Sequence, residues 1–210
     1  MVTPPSRDDP DCRPVMDSWR YRQDVATWYF TAARNPDPGV SGNAIIADIL
    51  RRSIHACRDF LRLRTAEMQG PARSLPTLQR GPDESAEAFE ARALHAVETA
   101  PLDLDSFFAD LDLNAWVRLE PGGPLQRGWI RSAGSFDLTL HPDDLYLALT
   151  LNVLAFCDGN MVGEDNHDLY LRNAPLLADA LHRLEEQVGP ITEWEGEPAV
   201  GRYGCLPAAR

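Results

Sequence analysis

Residues 143–153 read Asp-Asp-Leu-Tyr-Leu-Ala-Leu-Thr-Leu-Asn-Val. Leu145, Leu147, Leu149, Leu151 and Val153 alternate over nine positions, which favours a strand buried on both faces. A helix competes for the same stretch. Pro142-Asp-Asp144 has the chemistry of a helical first turn, and Leu and Ala favour helix. The same Pro-Asp-Asp also closes a hairpin, so the reading leans to strand. That choice makes this half of the chain a sheet.

The neighbouring residues fit a sheet. Trp116-Val-Arg-Leu-Glu120 alternates, Pro-Gly-Gly-Pro turns, and Leu125 to Ser132 reads as a returning strand. Ala133-Gly-Ser135 is a second turn, and Phe136 to His141 alternates again. Three antiparallel strands are expected here. Downstream, Asp158-Gly-Asn160 reads as a turn and Leu169-Tyr-Leu171 as a short strand. A helix follows with Asn173 as cap, Pro175 in its first turn and Gly189 past its end. Its apolar stripe is Leu177, Ala180, Leu181, Leu184 and Val188. Trp194 and Tyr203 lie in a tail that allows a final strand.

Upstream the period looks helical. A helix is expected from Asp17 or Ser18 to about Arg34, stopped by Asn35-Pro36. A second, capped by Asn43, runs to Gly70 on Ile45, Ile46, Ile49, Ile54, Cys57, Phe60, Leu61 and Met68. Residues 70–83 form a Pro/Gly loop. A third helix starts at Asp83 and ends at Pro101, and a short fourth runs from Asp103 to about Leu111. The expected fold is α+β: a helical N-terminal half packed on a small antiparallel sheet with a C-terminal covering helix. Residues 17–210 make one domain, helical over about 17–112, with sheet and last helix over about 113–205. Residues 1–16, with four prolines, read as a disordered tail.

Composition narrows the function classes. The chain has 210 residues, a net charge of −12 and no Lys among its 20 basic residues. An all-Arg complement is the coding bias of a GC-rich bacterial genome. Residues 101–170 carry 12 acidic and 3 basic side chains and hold most of the excess charge. Such a chain repels phosphate backbones and anionic lipid, which argues against nucleic acid and membrane surfaces as partners. No apolar run approaches the length of a membrane span, and the Pro-rich start is unlike a secretory signal, so a cytoplasmic site is expected. The four Cys, at 12, 57, 157 and 205, fit no zinc spacing and are expected to be reduced thiols.

Two readings of the acidic stretch follow. In the first, it is a face that steers and binds a basic partner protein, a toxin or effector, without catalysis or cofactor. The candidate contacts are Asp110, Asp112, Glu120, Asp143, Asp144, Glu164 and Asp165, with Trp116 and Trp129 on adjacent strands as anchors. In the second, His141, Glu164, Asp165, His167 and Asp168 hold a divalent metal for hydrolysis. Pairing of Cys157 with His141 or His167, and an Arg-rich face on the second helix, are weaker candidates. No GxGxxG, P-loop or GxSxG motif occurs. In its style, a small acidic Lys-free chain with Trp-rich strands and no catalytic motif resembles the immunity proteins that neutralise secreted toxins. The resemblance attaches to composition and to no particular residue.

Overall fold

The computed structural model describes residues 25–33, 39–118, 123–141, 144–158, 167–196 and 200–207. The elements in chain order are β1 (Ala26–Ala33), α1 (Gly42–Cys57), β2 (Leu61–Leu63), β3 (Thr65–Gly70), β4 (Arg73–Ser74), β5 (Leu78–Gln79) and α2 (Ala86–Glu98). Then come β6 (Ser106–Val117), β7 (Gln126–Leu140), β8 (Asp144–Leu151), a 3-10 turn (Leu154–Phe156), α3 (His167–Val188), β9 (Ile191–Gly196), β10 (Val200–Gly201) and β11 (Gly204–Cys205).

Nine strands form one antiparallel sheet in the order β4-β3-β6-β7-β8-β1-β9, with β2 also on β6 and β5 on β3. The sheet therefore dominates the molecule, and the expectation of a helical half on a small sheet is overturned. The three helices of the described residues lie together on one face. There α1 gives Ile46, Ile49, Leu50 and Cys57 to the core, and α3 gives Leu177, Leu181 and Leu184. The strands answer with Trp28, Phe30, Phe107, Leu111, Phe136, Leu138, Leu147 and Leu149, all at 0–1% exposure. Each such side chain adds about 1.5–3 kcal/mol of hydrophobic stabilisation.

Asp144–Leu151 of that stretch is a strand, β8, and it is central. Its inner residues Leu145, Leu147, Leu149 and Leu151 are buried, but Tyr146 between them is 39% exposed, so only one face is fully covered. The helices expected earlier in the chain hold in part: the third is α2 and the second begins as α1, but the other expected helical residues that are described mainly form strands. Described residues of the first one form β1, with Trp28 and Phe30 facing the core. Its Val25, Trp28, Tyr29 and Ala32 suit a helical stripe, yet Trp28 and Phe30 also alternate, and pairing with β8 and β9 decides between the two. The second helix ends at Cys57 rather than Gly70. Past Asp59 the apolar residues change to period two, and Ala66 and Met68 are buried between exposed neighbours. The short helix at 103–111 is the first half of β6.

Capping also differs. Ser41, not Asn43, caps α1, its hydroxyl accepting from the Ala44 amide at 3.3 Å. Ser85, not Asp83, caps α2. Asn43 is turned inward, accepting from the Leu104 amide and donating to the Leu102 carbonyl. The last helix starts at His167, so Leu169–Leu171 is helical and Asn173 is internal. Asn173 is fully buried. It accepts from the Trp116 amide at 2.7 Å and donates to the carbonyls of Trp116 and Ala155 at 3.0 and 2.9 Å. A helical side chain thus completes the hydrogen bonding of a strand edge. The expected tail at 1–16 lies outside the described residues.

Ala133-Gly-Ser135 is no turn: β7 continues through it for 15 residues. A bulge sits there instead. The partner of Leu111 is Gly134 and that of Leu113 is Ile130, and Ser132 adopts φ 49°. Such bulges bend a strand without ending it. Gly134 is needed because a Cβ would stand 2.5 Å from the Thr150 carbonyl oxygen.

Candidate protein-binding face

The strand face opposite the helices carries the concentrated charge. Register defines its rows. One row runs Glu193, Tyr29, Ala148, Asp137, Phe108, Glu67 across six strands. The next runs Glu195, Thr27, Thr150, Ser135, Asp110. A third holds Thr31, Tyr146, Thr139, Ser106 and Gln69, and Asp144 lies two residues from Tyr146 on the same face of β8. Five carboxylates therefore share these rows (Glu67, Asp110, Asp137, Glu193 and Glu195), Asp144 is a sixth beside them, and no position named in the rows is basic.

Aromatic side chains sit among the carboxylates. Phe108 is 36% exposed and Tyr146 is 39% exposed. His141 meets the Tyr146 ring edge-on, with centroids 5.2 Å apart. Tyr29 donates its hydroxyl to Glu195 Oε1 at 2.6 Å, and Thr139 donates to Asp137 Oδ1. Burial raises the Asp110 carboxyl above the usual carboxylate range, while a hydrogen bond from the Thr65 side chain and the nearby Arg64 act in the opposite direction. The face is anionic, with the partly exposed Phe108 and Tyr146 rings among its carboxylates. Such an arrangement can take guanidinium and ammonium groups by ion pairing and by stacking.

The residues singled out from sequence divide three ways. Asp110 and Asp144 lie on this face. Asp112 is buried at the β6 bulge, where it accepts from Arg80 at 3.0 Å and from the Ser132 amide at 3.1 Å, with Arg64 at 3.8 Å. Its charge is engaged within the fold. Glu120, Asp143, Glu164 and Asp165 lie outside the described residues. Trp116 and Trp129 are on adjacent strands but not opposite each other, since Trp116 faces Arg127 and Trp129 faces Asn114. Each is half-buried with an Arg over its ring, Arg172 at 5.1 Å and Arg62 at 3.8 Å.

The metal candidates have other partners. His167 Nδ1 is 2.6 Å from Asp158 Oδ1, Asp168 pairs with Arg118, and His141 stands against Tyr146. Among the described residues, no three His, Cys, Asp or Glu side chains gather as a metal site. Cys157 is buried against Cys205 rather than against an imidazole, and the contact and its burial both push its thiol pKa up. The Arg-rich face of α1 borders a groove of about 410 Å³ against α2, with Arg51, His55, Arg58 and Arg62 at its walls and Glu87 and Glu90 opposite. Much of that charge is matched within the fold. Arg51 pairs with Glu98 and Arg62 covers Trp129. Burial pushes the Glu90 carboxyl up to about 7, against the hydrogen bond that it accepts from the Leu63 amide.

Sequence reading missed Glu67, Asp137, Glu193 and Glu195, and with them Tyr29, Phe108 and Tyr146. Their signal was present but faint: an acid at every second position, as in Glu193-Trp-Glu195, is the outer face of a strand. The fold and this face define an open-faced antiparallel sheet backed by helices, with an acidic, aromatic outer surface. The chain matches no family model, no curated protein and no solved structure. No helix of the described residues is long and apolar enough to cross a membrane.

Proposed function

We propose that the chain is a non-enzymatic protein-binding protein whose open sheet face captures a basic partner protein. One observation carries the reading: six carboxylates from five strands stand on one sheet face with exposed Phe108 and Tyr146. Long-range attraction raises the encounter rate, and close contact buries the rings against the partner. A toxin or effector to be neutralised is one partner of the right chemistry, as the immunity-protein resemblance suggests. Nothing on the described surface favours the metal-hydrolase reading.

The test compares the full chain with the Asp137→Asn, Glu193→Gln, Glu195→Gln triple variant as baits in lysate of the native source. A captured protein is then purified and its association rate measured from about 0.05 to 0.5 M salt. The reading requires a basic partner lost from the triple variant. Its association rate should fall about tenfold or more over that range, because exposed charges are screened beyond about 8 Å at physiological ionic strength. Equal capture by both baits, or an association rate indifferent to salt, refutes it.

A further inference from the structure

Two of the four cysteines, 48 positions apart in sequence, are brought together by the fold. Cys157 follows the 3-10 turn at Leu154–Phe156, and Cys205 ends β11. Their sulfurs are 2.7 Å apart and both are buried, Cys157 at 0% exposure and Cys205 at 5%. Cys57 differs: it lies under α3 and contacts the Ala180 carbonyl. The hairpin of β10 and β11 has only short strands and is held from outside. The Trp28 indole donates to the Gly201 carbonyl, Tyr170 donates to the Cys205 carbonyl, Tyr203 donates to Glu185, and the Tyr203 ring stacks on His182. A bond between the two sulfurs would tie that hairpin to the end of the β8 segment.

We propose that Cys157 and Cys205 are a reversible redox pair, joined by a low-molecular-weight disulfide into a bridge that fastens the C-terminal hairpin to the core. Cys205 is the entry point, because it is the more exposed residue of the pair. Its thiolate attacks one sulfur of the oxidant, forms a mixed disulfide and expels one small thiolate. The Cys157 thiolate then attacks the Cys205 sulfur and expels the second. The oxidant takes up two electrons and both thiol protons, so that two protein thiols and one small disulfide become one protein disulfide and two small thiols. The buried position of Cys157 slows the second step in the intact fold, while the contact with Cys205 removes any need for the backbone to move far. A small dithiol reverses the sequence.

The full chain, folded, is incubated with oxidised glutathione, alkylated and digested with trypsin without reduction. Cleavage after Arg131, Arg172 and Arg202 separates Cys157, in 132–172, from Cys205, in 203–210. The two peptides are expected to be linked, with the loss of two hydrogens, while Cys57 is recovered unoxidised. The oxidised protein should melt on the order of 10 °C higher than the reduced one, a difference that dithiothreitol abolishes. Cys205→Ser, which replaces one sulfur by an oxygen, should keep the fold and lose both the linked peptide and the redox-dependent shift. Recovery of Cys157 and Cys205 as separate glutathione adducts, or as free thiols, overturns the proposal. So does a link with no change in melting, or an unchanged redox shift in Cys205→Ser.

Discussion

Asp112 separates a structural carboxylate from a partner-binding one, and Asp112→Asn tests the distinction. The substitution keeps volume and leaves an amide oxygen for the Ser132 amide, which stands at 3.1 Å. It removes the charge that faces Arg80 at 3.0 Å and Arg64 at 3.8 Å. Asp112 is 1% exposed and the Arg80 side chain 8%, so water replaces little of what is lost, although Arg64 at 24% keeps some solvent. Breaking a buried ion pair by removing one partner costs about 3–5 kcal/mol. The retained oxygen and the accessible Arg64 bring the expected loss to about 2–3 kcal/mol. For a fold of this size, that is a drop in Tm of roughly 5–10 °C. The penalty should survive 0.5 M salt, because the pair lies behind protein rather than behind counterions. Urea denaturation of Asp112→Asn beside Asp137→Asn, an exposed carboxylate, measures it. Asp137→Asn should stay within about 0.5 kcal/mol of the parent. If Asp112→Asn also stays within that margin, the buried network does not hold the bulge.

Glu90→Gln keeps the acceptor for the Leu63 amide and removes an ionisation that burial opposes. The folded value, about 7, lies above the ordinary 4.5, so the fold holds the proton more tightly than the unfolded chain does. Parent and variant should match below about pH 4.5. The parent then loses ground as pH rises, and above pH 7 the variant should lead by about 1–2 kcal/mol, a figure reduced for partial solvent access. Denaturant midpoints at pH 4, 6 and 8 check this, and a gap that does not widen with pH refutes it. Asn173→Ala leaves one amide and two carbonyls of Trp116 and Ala155 without their partner, and about 3 kcal/mol should be lost. Asn173→Asp, which cannot donate to the carbonyls, should not restore that loss; full stability in either variant contradicts the accounting.

Local pattern decided the strand at 143–153 and failed where local and distant signals disagree. Leu145 to Leu151 alternate, and that period outweighs the helical chemistry of Pro142-Asp-Asp144 and of Leu and Ala. In residues 25–33 both periods fit, and only the docking of Trp28 and Phe30 between β8 and β9 settles the matter, over separations of more than a hundred residues. The same holds for Leu61 to Met68. Their apolar residues continue the α1 stripe by spacing, but the helix has already ended. Asn173 shows the opposite failure. Its residue type suits a cap, and it is instead a buried internal residue whose amide serves the Trp116 strand edge.

The acidic site was legible as a quantity and not as a place. Counting charge along the chain pointed to 101–170, yet half of the six carboxylates on the face, Glu67, Glu193 and Glu195, come from outside that window. Within it, Asp112 is turned into an Arg cage. Charge density along a chain cannot tell two residues on one strand from two strands side by side. Register can, because Glu67 and Glu193 stand at opposite ends of a single row only once β3, β6, β7, β8, β1 and β9 are aligned. Spacing of two along a strand supplies half of that information, as Glu193-Trp-Glu195 does. The other half is which strands are neighbours, and non-local pairing alone provides it. The field that a partner meets is therefore a property of the sheet, and it should weaken in proportion to the number of face carboxylates neutralised, whichever part of the chain they come from.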